Sequence, residues 1–468
     1  MSGKCELPQI DIAGMELPGM RRAVKGEAVL GQMLKRAASP GYRDWEALAS
    51  SVGWCACPVQ LTSTDVDGQA SAAYSRCNNR RAAVCPSCSR LYGGDVFQLV
   101  HAGLFGGRHG IPETVASHPR VFATLTAPSF GKVHTTRMDG QCHHHAYAGR
   151  RRCEHKRPVW CDGRHGKTDP ELGKPLCLHC YDHTGHALFS WCLPELWCRF
   201  AIRLRRLLAR RLRDIGERPG TVKVTFVKIA EAQRRGLPHL HAVIRLDAAA
   251  KPGEPPSPPT TRLSALDLAE LVKHAAADVS VTANDGTEKG RAVRFGEQTD
   301  AQHIEPDSPD SDGTTSRKVA GYLAKYVTKS TADFGISPVR IAPASIEHLE
   351  VSEHVNRILH ALVSLSVLPG NEGMCDWLHT LGYRGHVATK SRGYSTTMTK
   401  LREQRAIWHT SQHNDDNTAP EEKAWAVRRI GHATIGDRVL ALTKAAQQRE
   451  NHQAARAALD SREDQGEL

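Results

Sequence analysis

The sequence predicts an α+β fold built on antiparallel strands, and three observations carry that reading. Thr221-Val-Lys-Val-Thr-Phe-Val-Lys-Ile229 alternates at period two, Arg235-Gly236 supplies a turn, and His239 to Leu246 returns as a second strand, the pattern of a β-hairpin. Helical stretches lie around this hairpin without the regular strand–helix alternation of a parallel sheet. Two Cys-rich stretches, each closed by a Cys-x2-Cys, interrupt the chain.

Taken in order, residues 20–52 read as helix broken by Pro40-Gly41, and residues 55–88 as a Cys-rich loop region. Residues 91–104 read as an amphipathic helix, and Val121 to Thr126, closed by Pro128, as a strand. The chain is His/Cys-rich from Gly140 to Cys198. A basic helix follows from Arg199 to Arg213, with Arg203, Arg206, Arg210 and Arg213 at 3–4 spacing and Leu204, Leu207 and Leu208 on its other side. After the hairpin come a Pro-rich loop at 251–259, a helix at 263–277, a strand-like Val293-Arg-Phe295 and an acidic loop at 300–312. A helix at 318–329 follows, then a mainly helical region to about Arg405 and a polar tail beyond Gln412.

The 468 residues carry 62 Lys+Arg against 50 Asp+Glu, a formal charge of +12. That balance favours a polyanionic partner, with nucleic acid first. No apolar run reaches the ~20 residues that span a bilayer, and the N-terminal stretch lacks an apolar h-region. The expectation is a cytoplasmic protein with no membrane partner, whose 14 Cys serve metal binding rather than disulfides.

Two zinc sites are expected. Cys85-Pro-Ser-Cys88 is the tight loop that presents two thiolates to one tetrahedral ion, and Cys77 with Cys55 (or Cys57) completes a first set. Cys153, Cys161, His165, Cys177 and Cys180 supply a second, with Cys142 and His143 to His145 just upstream. Closed four-ligand sites leave no open position for water, so both are structural. Cys5, Cys192, Cys198 and Cys375 fall outside these sets.

Pro238-His239-Leu240-His241 places two imidazoles on one face of a strand, because side chains alternate. Two such groups chelate a divalent cation if a third ligand approaches, and Glu231, at the end of the preceding strand, is placed to be it. In Tyr322-Leu-Ala-Lys325-Tyr326-Val-Thr-Lys329, 100° per residue puts both tyrosines and both lysines within one arc of about 100°. Ala320, Leu323 and Val327 fall on the opposite, core-facing side. A phenol is a poor nucleophile near its ordinary pKa of about 10; neighbouring lysine charge is expected to lower that value, and a metal makes a phosphate more electrophilic.

In this order, Phe122-Ala-Thr-Leu-Thr-Ala-Pro128, Gly236-Leu-Pro-His-Leu-His241 and Tyr322-Leu-Ala-Lys-Tyr-Val-Thr-Lys329 resemble motifs 1, 2 and 3 of the HUH endonucleases that initiate rolling-circle replication. Cys77 to Cys88, Pro175-Leu-Cys-Leu-His-Cys-Tyr-Asp182 and Gly382-Tyr-Arg-Gly-His-Val-Ala-Thr-Lys-Ser-Arg392 resemble initiators of actinomycete plasmids and integrative conjugative elements. The resemblance implies a palm-like antiparallel sheet with the His-x-His pair on a central strand, flanked by helices. It implies origin nicking by tyrosine transesterification, leaving a 5′-phosphotyrosine link and a free 3′-OH primer, with strand rejoining at termination. It gives Tyr322 and Tyr326 as nucleophiles, Lys325 and Lys329 as their helpers, and His239, His241 and Glu231 as ligands of Mg²⁺ or Mn²⁺.

Under that resemblance the chain divides into a helical segment 1–50, a zinc-binding region 51–112 and a catalytic domain 113–335 with a zinc-binding insertion at about 140–198. A helical, DNA-binding region 336–410 and a polar tail 411–468 complete it. Arg203, Arg206 and Arg210, and Lys390 and Arg392 with Lys400, Arg402 and Arg405, are the candidate DNA contacts. The partners are origin DNA, duplex and single-stranded, and a host helicase, because no GxxxxGK[ST] loop is present. Two other readings stand beside this one: a two-tyrosine HUH transposase, and a non-catalytic zinc-dependent DNA-binding regulator.

Overall fold

The computed structural model describes residues 11–12, 15–16, 26–64, 68–136, 141–143, 151–166, 169–251, 253–305, 314–329, 335–336, 339–413 and 424–464. Cys5 and His144 and His145 lie outside them. The chain divides into two compact units, Asp95–Gln404 and a second formed by Met1–Gly94 with Arg405–Leu468.

The Asp95–Gln404 unit is an α+β domain. Its chain order is β1 (Arg120–Leu125), α1 (His183–Asp214), β2 (Val222–Ala232), β3 (Pro238–Ala248), α2 (Ala265–Asp278), β4 (Asp300–His303), α3 (Ser316–Tyr326), α4 (Glu353–Ser366) and β5 (Ala388–Lys390). The five strands form one antiparallel sheet in the order β4-β1-β3-β2-β5, so the His-x-His strand is central. The hairpin turn works because Gly236 takes a left-handed φ of +83°. A Cβ there would also stand 2.8 Å from Leu381 Cδ1.

Period two sorts the sheet into two faces. Val121, Ala123 and Leu125 of β1, Leu240, Ala242, Ile244 and Leu246 of β3, and Val222 and Val224 of β2 are buried in a core with Phe189, Leu196, Leu204 and Leu208 of α1 and Leu268 and Val272 of α2. The other face of β3 carries His239, His241, Val243, Arg245 and Asp247, with Phe122 and Thr124 of β1 registered against Val243 and His241, and Glu231 of β2 against His239. Helix α2 opens with a reciprocal Ser264/Asp267 capping box.

Three expectations are corrected within this unit. The basic helix begins at His183, not Arg199, because Asp182 caps it by accepting the Gly185 N–H at 2.8 Å and the aromatic stretch 183–198 is its buried first half. The Cys/His insertion therefore ends near Asp182. Residues 300–303, read as loop, form edge strand β4, and the Gly382 to Arg392 segment contributes edge strand β5. The Tyr/Lys helix runs Ser316–Tyr326, with Thr315 as its N-cap, so Lys329 lies just beyond its end.

In the other unit, Ala426–Ile430, Val59–Thr64 and Ala70–Ser75 form a three-stranded antiparallel sheet, and helix Gly26–Ala37 packs on helix Ile435–Asp464. Arg36 makes a two-pronged pair with Asp437, Nε to Oδ1 at 2.7 Å and Nη2 to Oδ2 at 2.9 Å. Residues 426–464, expected in a polar tail, are thus structural partners of the N-terminal segment. Their polar outer faces hid the buried Val439 and Leu442 that dock them. Among the described residues no helix is long and apolar enough to cross a membrane.

Candidate functional site

The site is assembled by sheet register. Glu231 lies directly opposite His239, and His241 directly opposite Thr124. His241 Nε2 is 2.9 Å from Glu231 Oε2, and its Nδ1 is 3.1 Å from Thr124 Oγ1. With the Nδ1 proton donated to Thr124, the Nε2 lone pair is left for a cation. Phe122 stacks on the His241 ring at 5.8 Å and 10° and meets the Tyr322 ring edge-on at 5.8 Å.

Helix α3 lays its tyrosines on this face because Val319, Ala320 and Leu323, with Val327, are buried on the other. Tyr322 OH stands 3.4 Å from His241 Nε2. The Tyr322 and Tyr326 rings lie 4.4 Å apart, and the His241–Tyr326 ring separation is 6.1 Å. Lys329 Nζ donates to Glu231 Oε1 at 3.0 Å and sits 4.0 Å over the Tyr326 ring; Lys325 is exposed, 5.9 Å from that ring.

The electrostatics correct one expectation. The Tyr322 phenol is pushed up, not down: burial is the main cause, and the Glu231 carboxylate and Tyr326 add to it. Lys329, which was to lower it, is instead paired with Glu231. Burial, with help from Arg235 and His241, pushes His239 down to about 3, so its imidazole is neutral, the form that ligates metals. Arg235 Nη2 is 3.5 Å from His239 Nε2.

One carboxylate and two imidazoles stand on adjacent strands, groups of the kind that ligate a divalent cation. Glu231 and His241 already meet at the spacing of two ligands on one such ion, about 3 Å. His239 is not brought to ligand spacing with them: its Nε2 faces Arg235, and its ring centroid lies 6.4 Å from that of His241. Thr124, Phe122 and Arg235 escaped notice as site residues, although the alternation of the first motif strand put Phe122 and Thr124 on one face.

Among the described residues three Cys/His groups gather with their ligand atoms within 4.8 Å of one another. The first is Cys55, Cys77, Cys85 and Cys88, with Cys57 buried beside it. Its Sγ–Sγ separations of 3.8 Å (Cys85–Cys55) and 3.6 Å (Cys88–Cys55) match the edge of a tetrahedral zinc-thiolate site, about 3.8 Å. Backbone N–H groups of Ala56 and Cys77 donate to Cys85 and Cys55 sulfurs at 3.3 Å, which favours thiolates.

The residues expected in the second set fall into two groups. Cys161 and His165 join His134 and Cys142, whereas Cys153, Cys177 and Cys180 join His155. The division follows local structure. Strands Gln141–His143 and Cys161–Arg164 pair and bring Cys142 beside Cys161, while a tight turn closed by Lys156 N–H to Cys153 O brings Cys153 and His155 to the Cys177/Cys180 knuckle. His134 and His155 were missed because neither belongs to a Cys-x2-Cys. Cys192 is buried in the main core, and Cys198 is exposed.

The basic candidates separate. Arg203 is held by Asp278 Oδ2, with Nε at 2.9 Å and Nη2 at 2.6 Å, whereas Arg206, Arg210, Arg213 and Arg392 are exposed. Lys390 is turned inward, its Nζ donating to the carbonyls of Ser391 and Arg392 at 3.3 Å and of Ser395 at 2.9 Å, so it ties its own loop.

Residues 41–446 match the family model described as RepSA, replication initiator protein, pSAM2. The chain is similar to a replication initiator protein from Streptomyces ambofaciens, 36% identical over 464 residues that cover 93% of this chain and 97% of the relative. No solved structure matches.

Proposed function

Because the chain belongs to the replication initiator family of the pSAM2 type, we propose that it starts plasmid replication as an HUH endonuclease that nicks its origin with Tyr322. The observation that carries this reading is the short relay Tyr322 OH, His241 Nε2, Glu231 Oε2, at 3.4 and 2.9 Å. A phenol beside a chelating pair is what a metal-assisted attack on a phosphodiester needs.

Glu231 and His241, with His239 on the same strand face, would hold the Mg²⁺ or Mn²⁺. Bound there, the cation would supply a Lewis acid for the scissile phosphate and offset the Glu231 charge that adds to the effect of burial on the phenol. The Tyr322 oxygen forms a bond to phosphorus as the bond from phosphorus to the 3′ oxygen breaks. The phenol proton leaves to solvent on the side where Tyr322 is 37% exposed, and the 3′ oxygen takes up a proton. The products are a 5′-phosphotyrosine link and a 3′-OH. Phe122 and Thr124 hold His241 in place, and Lys329, poised between Glu231 and the Tyr326 ring, is placed to meet phosphate charge. Tyr326, on the same helix face, serves the second transfer at termination. The exposed Arg206, Arg210 and Arg392 supply phosphate contacts to origin DNA, zinc fills the Cys55/Cys77/Cys85/Cys88 set, and unwinding falls to a host helicase.

The test is supercoiled plasmid bearing the element's origin, with Mn²⁺ or Mg²⁺ supplied. The expected product is open circular DNA with protein on the 5′ end and a 3′-OH that a polymerase extends. Absence of nicking with either cation, or a nick with a free 5′-phosphate, overturns the proposal.

A further inference from the structure

The insertion between β1 and α1 gathers more ligands than one ion can use, and one of its groups is joined to the hairpin that carries Glu231 and His239. His134 Nδ1 and His165 Nε2 are 3.0 Å apart, Cys142 Sγ is 3.8 Å from His134 Nδ1, and Cys161 Sγ is 3.5 Å from His165 Nε2. In a tetrahedral zinc site with Zn–N of about 2.0 Å and Zn–S of about 2.3 Å, the nitrogen–nitrogen and sulfur–nitrogen edges are about 3.3 and 3.5 Å. The Thr135 N–H donates to Cys142 Sγ at 3.3 Å. His165 turns its other nitrogen, Nδ1, to Asp169 Oδ2 at 2.7 Å, the outer carboxylate that fixes the tautomer of a zinc-bound histidine.

Two connections run from these ligands to the turn between β2 and β3. Asp169, which holds His165, accepts the Arg234 guanidinium on its main-chain oxygen at 3.1 Å. His134 exchanges backbone hydrogen bonds with the strip 173–174: Gly173 N–H donates to His134 O, and His134 N–H to Lys174 O, both at 2.9 Å. That strip lies directly on the turn. A Cβ on Gly173, whose φ is +85°, would stand 2.7 Å from Arg234 C and Arg235 N, so only glycine permits this approach. Arg235, in the turn, is the residue beside His239.

We infer that His134, Cys142, Cys161 and His165 bind a zinc ion of their own, distinct from one held by Cys153, His155, Cys177 and Cys180, and that this ion fixes the Gln233–Gly236 turn. Without it, both Asp169 and the Gly173 strip lose an anchor, while on the other side of the turn His354 Nε2 still meets Arg235 O at 3.1 Å. The inference stands whether or not the chain nicks DNA, because its readouts are metal content and amide exchange.

The experiment uses the full chain purified without chelator, with zinc counted by plasma mass spectrometry and exchange of the turn followed by hydrogen–deuterium exchange. Three zinc ions per chain are expected, falling to two in the double variant His134→Ala/Cys161→Ser, with turn amides exchanging at least about tenfold faster. Arg234→Ala, which touches no ligand, is expected to keep three ions and still speed exchange of the turn. Two zinc ions in the natural chain overturn the separate site. Unchanged exchange in Arg234→Ala, or in the double variant at two ions, overturns the coupling.

Discussion

Lys329 Nζ and Glu231 Oε1 are 3.0 Å apart, so an ammonium stands against the carboxylate that the proposal gives to a divalent cation. The lysine belongs to the segment just after the tyrosine helix, and the glutamate to β2. On the proposed function, a cation at Glu231 would compete with Lys329 for the carboxylate.

From this competition, Lys329→Met is expected to bind Mn²⁺ about three- to tenfold more tightly than the natural chain, since no ammonium must be displaced, a change of about 1 kcal/mol. Nicking is expected to slow nonetheless. Titration followed by Mn²⁺ electron paramagnetic resonance measures the affinity, and weaker or unchanged binding contradicts the arrangement.

Arg245 and Asp247, both buried, form the ion pair that anchors β3 on the same face as His241. Arg245 Nε and Nη2 donate to the carboxylate at 2.6 and 2.9 Å, and Asp247 also meets His118 Nδ1 at 2.8 Å and accepts the Thr225 hydroxyl at 2.7 Å. Removing one partner strands a buried charge, so Asp247→Ala is expected to cost about 3–5 kcal/mol in denaturant unfolding of this unit. A loss under about 1 kcal/mol would show that the pair is dispensable.

Lys228 points to the apolar face of the sheet, against Trp197 and Tyr383, with its Nζ donating to Tyr383 OH and His386 O at 3.2 Å. Burial pushes its ammonium down to about 8 from the ordinary 10.5. Between those values the unfolded chain binds more protons than the folded one, so Lys228 makes stability rise with pH across the window, by up to about 3 kcal/mol. The difference in melting temperature between the natural chain and Lys228→Met is expected to shift in favour of the natural chain from about pH 7.5 to about pH 9.5. A pH-independent difference means the ammonium keeps its ordinary value.

Much of the site was legible because its chemistry is set by short-range periodicity. Alternation along β3 put His239 and His241 on one face, the hairpin turn returned Glu231 opposite His239, and helical spacing grouped Tyr322, Lys325 and Tyr326. Cys55, Cys77, Cys85 and Cys88 were legible from their knuckle. What escaped depends on contacts between distant segments. Nothing local marks His134 as a companion of Cys161 and His165, His155 as a companion of Cys177 and Cys180, or the strand at 426–430 as a partner of 59–64. The pairing of Arg203 with Asp278 and the raised Tyr322 phenol each follow from surroundings that only the folded chain supplies.

The most direct test of the central claim is to trap the covalent product and find the tyrosine that carries it. Single-stranded origin DNA is incubated with the protein and Mn²⁺, and after nuclease and trypsin treatment the peptides are read by mass spectrometry. Trypsin cuts after Lys318, Lys325 and Lys329, so Tyr322 and Tyr326 fall on separate peptides, 319–325 and 326–329. The account predicts a nucleotide on 319–325 after the first cleavage, lost in Tyr322→Phe. An adduct confined to 326–329, or none on either peptide while DNA is cut, would contradict it.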